Sequence, residues 1–481
     1  MKALIGIDEG TSAVKATLCD LQLRPLASAR REKHTTRPAE GLVEQDPAEL
    51  LEAVVDAVAE LLAGVPEAEI VACGLDHQGE SVLAWERETG RPLSPVITWQ
   101  DKRSQASLDS FDEHTAARIT ELSGLPVDPY FSAGKVSWLL KEQLPSDDVC
   151  IGTVDSYLCA RLGAGFATDP STASRTQLAR PGEHEWDHEL CSIFNVRADC
   201  LPRLRDSVGE LGTLSHGRWR TELPLRAQVV DQQAALAGAG CVIPGRAKAT
   251  FGTGVFVLGF IGTSAPSNAA GAGILPTVAW SIGGQPSYAL DGGVFSAGSL
   301  IDWLVGGLGV YDSPEEFAQL AASVSDAGGV MVLPALSGLG APWWRPSARA
   351  VISGLTGGTD RRHLARAATE AICHRVCDVL DAMRDFITIE QLRIDGGLTA
   401  SELLPQLLAD LAQVPVELGA VDTTALGAAA LAGVGAGAIS SIEQIAELVP
   451  PGRRFSPRPV PDSRAAWRAF VEDAASLGAA G

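Results

Sequence analysis

Long apolar runs are missing from this chain of 481 residues. No segment offers 18 unbroken apolar residues, so a membrane-spanning helix is not expected. The opening run Ala3-Leu4-Ile5-Gly6-Ile7 meets Asp8 after five residues, too soon for the core of a signal peptide. Positive charge is scarce too: 38 Lys and Arg against 59 Asp and Glu leave a formal charge of −21. With no basic block to interrupt that balance, nucleic acid and anionic membrane surfaces are excluded as expected partners. The nine cysteines are scattered and odd in number, and no CxxC pair exists to begin a zinc site. Even the nearest pair, Cys373 and Cys377, has three residues between its members. Reduced, buried thiols in a cytoplasmic protein are the economical expectation. Two nucleotide signatures are also absent. Gly134-Lys135 is followed by Val136, with Pro129 where a P-loop has its first glycine, and no intact GxGxxG follows a strand. A P-loop NTPase and a Rossmann dehydrogenase are thereby set aside.

What is present reads as a globular α/β protein. Hydrophobic residues make up 46% and charged residues 20%, and the length suits two large domains. Ala3–Ile7 and Val14–Cys19 read as strands around the turn Asp8-Glu9-Gly10-Thr11-Ser12-Ala13. A helix follows, with Asp46 as cap, Pro47 at its first position and Glu49 completing a capping box; Leu50, Leu51, Val54, Val58, Leu61 and Leu62 repeat along one face before Gly64. Ile70–Leu75 reads as a buried strand. Near Cys241 a second unit begins, and Lys248–Leu258 repeats the plan of strand, Gly/Thr turn and strand. Asp360–Phe386 reads as a long helix and Leu392–Ile394 as a strand ending in Asp395-Gly396-Gly397. Thr423–Gly437, nearly all Ala, Gly, Leu and Thr, reads as a closely packed helix. Two similar units, 1–240 and 241–481, would face one another across a cleft, a favoured place for a ligand.

Three turns share one chemical character: Asp8-Glu9-Gly10-Thr11-Ser12, Phe251-Gly252-Thr253-Gly254 and Asp395-Gly396-Gly397. Their glycines let backbone N–H groups approach an anion, their hydroxyls add donors, and their carboxylates can hold hydrated Mg²⁺. Together they suit phosphate. Val229-Val230-Asp231-Gln232-Gln233 runs from a strand into a helix, so Asp231 stands at the helix N-terminus. It serves there either as an N-cap or as a general base that accepts the proton of an attacking alcohol.

At this point the chain resembles the FGGY family of carbohydrate kinases, within it most of all the glycerol kinases. The resemblance rests on Asp8–Ser12, Trp99-Gln100-Asp101-Lys102-Arg103, Asp128-Pro129-Tyr130-Phe131-Ser132 and Thr168-Asp169 with Ala173-Ser174-Arg175-Thr176. It continues through Asp231–Ala235, Phe251–Gly254, Ser337–Trp344, Asp395–Gly397 and Asp422–Ala429, in order over nearly the whole length. It implies two RNase H-like domains of the actin and hexokinase type, closing over ATP and a small polyol or sugar. By the same resemblance Asp231 is the general base, and Asp8 with Asp231 holds Mg²⁺. Thr11, Ser12 and Thr253 line the phosphates, while Gly298, Ile301, Gly397 and Ser401 surround the nucleotide. Gln78, Glu80, Trp99, Tyr130, Asp231, Gln232 and Phe256 line the polyol site. A homodimer or homotetramer is compatible with it.

The chain departs from that pattern on the substrate side. Gly79 stands where glycerol kinases carry an arginine beside the glutamate matched by Glu80, which removes hydroxyl donors and is expected to open volume. Glycerol is the first substrate candidate, and a tetritol, pentitol or ketose is the rival. Lys15 replaces a frequent arginine, as in pentulose kinases, and Ser401 replaces a common asparagine. A non-catalytic, actin-like nucleotide binder would have no use for both Asp8 and Asp231. His77 reads as a core or supporting histidine, and Trp343 and Trp344 as packing beneath a hinge.

Overall fold

The computed structural model describes residues 1–141, 148–266, 268–419, 423–460 and 463–477; Asp422 of the last quoted motif lies outside them. Two sheets organise the molecule. In the first, β1 (Lys2–Glu9), β2 (Ala13–Cys19) and β3 (Pro25–Glu32) form an antiparallel meander over short turns. Helix α1 (Pro47–Gly64) carries the chain back so that β4 (Glu69–His77) pairs parallel with β1, as a crossover requires. The short β5 (Thr213–Leu214) and then β6 (Leu223–Val230), parallel to β4, complete the order β5-β6-β4-β1-β2-β3.

Helix α2 (Asp231–Gly238) leads from β6 to the second sheet. There β7 (Arg246–Phe251), β8 (Val255–Gly262), β9 (Leu275–Ile282) and β10 (Gln285–Val294) pair antiparallel. After helix α3 (Arg361–Met383), β11 (Gln391–Asp395) pairs parallel with β7. Helix α4 (Leu403–Ala412) then leads to β12 (Val416–Leu418), parallel to β11, and β13 (Arg454–Phe455) closes the order β9-β10-β8-β7-β11-β12-β13. The orders β3-β2-β1-β4-β6 and β10-β8-β7-β11-β12 are the same plan: three antiparallel strands, then two parallel to the first. This is the twice-used RNase H-like architecture that the family resemblance implies.

Helix α1 shows how local sequence sets the layers. Asp46 caps it by accepting from Ala48 N at 2.8 Å, and Leu50, Val54, Val58, Leu61 and Leu62 are buried. The expected capping box does not form. His34 lies over the first turn, and Glu49 Oε1 accepts from its backbone N at 3.2 Å and lies 2.6 Å from Nδ1.

The small-residue segment is helix α5 (Thr423–Gly435), and it packs on β1, β4 and α2 of the first half. Glycine makes that approach feasible. A Cβ on Gly6 would stand 1.7 Å from Ala425 O, one on Gly74 2.0 Å from Ala428 O, and one on Gly427 1.7 Å from Ala234 O. One buried cluster therefore joins Leu4, Ala72, Val229 and Leu236 to Leu258, Trp280, Ala428, Leu431 and Ile445. Among the described residues no helix is long and apolar enough to cross a membrane. All nine cysteines are buried and free.

Candidate active site

Ligands in open α/β sheets gather where parallel strands end. Asp8 lies at the end of β1 in register with Asp76 of β4, and β6 runs beside β4 until Val230 gives way to Asp231. Three carboxylates thus share one edge. Asp231 is the first residue of α2, with Val230 as the N-cap, and its Oδ1 accepts from Gln232 N at 2.7 Å. Burial, then the charges of Asp8 and Glu80, push its carboxyl up to about 7, against the pull of Lys248. That is the range a general base needs near neutral pH. Burial and the same crowding, by Asp8 and Asp231, push Asp76 well above the usual carboxylate range.

No three His, Cys, Asp or Glu side chains among the described residues converge closely enough to hold a metal ion by themselves. Asp8 and Asp231 still offer hard oxygen donors at one strand edge. That donor set suits Mg²⁺, which keeps water and phosphate oxygens among its ligands rather than filling its shell with protein.

A cavity of about 80 Å³ opens beside Asp231, lined by Thr11, Glu80, Trp99, Tyr130, Gln232 and Phe256 among others. Six of the seven expected polyol residues meet there. Trp99 makes edge-to-face contact with Tyr130 at 5.7 Å between centroids and donates from Nε1 to Thr11 Oγ1 at 3.0 Å, which ties the cavity wall to the first turn. Phe256 comes from β8, so both halves contribute. Gln78 departs from expectation. It lies buried outside the cavity lining, its amide donating to Gln45 Oε1 at 2.9 Å and to the carboxylate of Glu9, which also pairs with buried Lys33. Those bonds tie the Gln78 side chain to the end of β1 instead of to the cavity. His77 is likewise structural, fully buried with Nε2 3.0 Å from Thr172 Oγ1.

The expected opening at Gly79 is not found. A Cβ there would meet Val230 Cγ1 at 3.0 Å, and Arg175 fills the same lining with a guanidinium that sequence reasoning left unassigned. Arg175 Nε donates to Glu80 Oε1 at 2.8 Å, and Nη1 lies 3.0 Å from Asp291 Oδ2 on β10. Lys248, also unassigned, donates from Nζ to Gln232 Oε1 at 3.2 Å. Spacing places neither: Lys248 reaches the site from the second sheet, and Arg175 meets Asp291 only where the two halves pack.

A second cavity, of about 160 Å³, lies in the second half. It is lined by Ile301, Phe317, Ile372, Leu404, Gly397 and Ser401 with their neighbours, an apolar slot with a polar rim that can take a flat ring. Ile301, Gly397 and Ser401 were expected there. Gly298 lies instead at the turn after β7, where its N–H donates to Gly252 O at 3.1 Å and a Cβ would stand 2.5 Å from that oxygen. Ser299 N donates to Thr253 O at 3.0 Å, so this turn is clamped in place. Thr253 and Ser12 are exposed at their turns, and Thr11 is half-buried. Trp343 and Trp344 pack on the second-half core, donating from Nε1 to Asp378 Oδ2 at 2.9 Å and to Gly273 O at 2.8 Å, and Trp344 also packs against a cluster that includes Leu125 and Phe131 of the first half.

Comparison with known proteins agrees with this geometry. Residues 3–238 match the N-terminal domain of the FGGY family of carbohydrate kinases and residues 247–436 its C-terminal domain. A glycerol kinase of Geobacter sp. (strain M21) is 43% identical over 473 residues, covering 95% of this chain and 95% of that protein. One from Thermus brockianus is 41% identical, covering 98% and 99%. Among solved structures, Plasmodium falciparum glycerol kinase with ADP superposes with a TM-score of 0.91 at 29% identity, covering 98% of each chain. The xylulose kinase of Lactobacillus acidophilus, at 21% identity and a TM-score of 0.89, shares the fold. Two matching family domains, in order and around one cleft, place the chain in the FGGY family of carbohydrate kinases, enzymes that phosphorylate an alcohol.

Proposed function

We propose that this protein transfers the γ-phosphoryl group of ATP to a terminal hydroxyl of glycerol, giving glycerol 3-phosphate and ADP. The observation that carries the reading is the small cavity beside Asp231. At about 80 Å³ it is far below the ~300–1,000 Å³ typical of sites for larger organic ligands, and it suits a three-carbon triol better than a pentose chain. Similarity to glycerol kinases over nearly the whole chain supports the same substrate.

In this reading Asp231 accepts the proton of the terminal hydroxyl as its oxygen bonds to the γ-phosphorus, while the bond from that phosphorus to the bridging oxygen of ADP breaks. Trp99, Tyr130 and Phe256 exclude water and hold the carbon chain, and Glu80 and Gln232 offer polar contacts to its hydroxyls. Thr11, Ser12 and Thr253, with the backbone N–H groups of their turns, face the phosphates. The apolar slot around Ile301, Phe317 and Leu404, with Gly397 and Ser401, takes the base. Asp8 and Asp231, with water, would hold Mg²⁺, which would supply positive charge against the phosphates. Nine free, buried cysteines support a cytoplasmic location.

The test is ADP release by the purified enzyme across glycerol, erythritol, xylitol and xylulose. Glycerol is expected to give the highest kcat/KM. A higher value for the tetritol, the pentitol or the ketose overturns the assignment.

A further inference from the structure

Arg175 is a charged side chain, 5% exposed, in the lining of the substrate cavity, with no part yet in binding. Its position is strongly fixed. The preceding turn, Pro170–Ala173, is capped by Asp169, whose carboxylate accepts from Ser171 N at 2.9 Å and Thr172 N at 3.0 Å. Ser174 then reaches the second sheet: its Oγ lies 3.2 Å from Thr277 Oγ1 and accepts from Val278 N at 3.2 Å, both on β9. The guanidinium itself lies 5.9 Å from the Tyr130 ring centroid and 5.4 Å from that of Phe131. Glu80 grips it through Nε.

What this arrangement leaves unmet is the informative part. Nη1 lies 3.0 Å from Asp291 Oδ2 but is poorly aligned for a full hydrogen bond, and Asp291 Oδ1 is buried without a partner. Buried donors and acceptors are nearly always satisfied, because leaving one unpaired forfeits its interaction with water for nothing in return. Here an unmet donor and an unmet acceptor belong to two residues lining one cavity, and a hydroxyl is the group that can both accept from Nη1 and donate to Oδ1.

We propose that Arg175 and Asp291 bind a non-reacting hydroxyl of the polyol, Arg175 donating to it and Asp291 accepting from it. This rests on the polyol-kinase reading above and adds the specificity determinants of that site. Arg175 belongs to the first half and Asp291 to β10 of the second, so the polyol completes a contact between them.

The experiment compares wild-type enzyme, Arg175→Gln, Arg175→Lys and Asp291→Asn on the polyol that wild type turns over best, and on its analogues lacking one non-reacting hydroxyl. For glycerol these are 1,2-propanediol and 1,3-propanediol. Arg175→Gln and Asp291→Asn are expected to raise KM for the triol about 10–100-fold, the scale of a charge-assisted hydrogen bond, with KM for ATP within twofold. Arg175→Lys should recover part of the loss. On one of the two diols the variants should match wild type within twofold, since the hydroxyl they read is gone. Calorimetric titration of the triol without ATP should show the same weakening, and a melting curve checks that each variant is folded. Equal losses on the triol and both diols, or an equal rise in KM for ATP, would overturn the proposal and leave Arg175 a strut. If Arg175→Gln fails to fold, Arg175→Lys and Asp291→Asn carry the same comparison. Should wild type prefer a polyol other than glycerol, the substrate assignment fails while Arg175 is still judged on the preferred one. Turnover of no polyol sinks both.

Discussion

Asp231 carries two opposed demands, and one substitution separates them. Its carboxyl titrates near 7 in the fold because burial and the charges of Asp8 and Glu80 disfavour the ion, whereas an unfolded chain ionises aspartate near ~3.9. Between those values the unfolded chain gives up its proton first, so ionisation draws the equilibrium towards unfolding. The resulting cost is absent below about pH 4, grows as pH rises through 7 and is constant above it. Asparagine carries no such cost. In the absence of nucleotide and divalent cation, Asp231→Asn should therefore melt about 1–3 °C above wild type at pH 8 and together with it at pH 4. Turnover should fall by about 10²–10⁴-fold, the usual contribution of a positioned base. Equal melting temperatures at pH 8 would refute the burial argument, and retained turnover the base. Trp99 makes a finer prediction. Trp99→Phe keeps the ring against Tyr130 but loses the Nε1 bond to Thr11, so kcat/KM should fall about 2–10-fold with little change in melting temperature. A loss no greater than experimental error would mean the bond does not link the polyol wall to the phosphate turn. At this scale the sequence was a good guide to some residues and a poor one to others. Asp231, Glu80, Trp99, Tyr130, Gln232 and Phe256 sit in or beside motifs and do meet around one cavity. Gln78 sits in the same run yet faces away, because where a strand ends one residue's direction is not set by its neighbour's. Arg175 and Asp291 come together only through the packing of two sheets, which no local pattern encodes.

Among the elements, α5 matters most. Its run of Ala, Gly and Leu is legible as a close-packing helix, because small side chains have no other obvious use over 13 residues. Its partner is not legible. That α5 would lie on β1, β4 and α2 depends on glycines hundreds of positions upstream. Glycine on the helix itself sets its depth too: Gly427 faces Ala234 O so closely that a methyl group would stand 1.7 Å away. Gly427→Ala must push α5 and α2 apart, at a cost of about 1–3 kcal/mol or more. Since α2 begins with Asp231, the shift moves the base as well. The expected outcome is a lower melting temperature together with a lower kcat. Gly217→Ala is the control, since nothing lies within 4 Å of the added Cβ, and it should leave both unchanged. A stable but inactive Gly427→Ala variant would separate the two effects and count against a shared cause.

For the whole molecule, the same contact decides what a domain is here. A division at residue 240 follows the sequence repeat, and each half owns a sheet of the same plan. The buried cores do not respect it. Leu4, Ala72 and Val229 of the first sheet share a cluster with Ala428, Leu431 and Ile445, which lie in the chain between β12 and β13 of the second sheet. A fragment of residues 1–240 would lose α5 and expose a trough floored by Gly6, Gly74 and Gly238, together with the apolar side chains around it. Burial is the main favourable term in folding, and a contiguous exposed patch of this kind promotes association. The fragment should therefore aggregate or unfold without cooperativity. Joining residues 423–450 to it by a flexible linker should restore a soluble, cooperatively melting species, since the missing helix returns to its trough at high effective concentration. Sedimentation and thermal melting of the two fragments make the comparison. If residues 1–240 alone melt cooperatively as a monomer, the first half is an autonomous domain and α5 only rests upon it. If neither fragment is soluble, the halves are more deeply interdependent than this one helix accounts for. In the full chain the same interlock predicts a single unfolding transition, because the second half cannot come apart without uncovering the first.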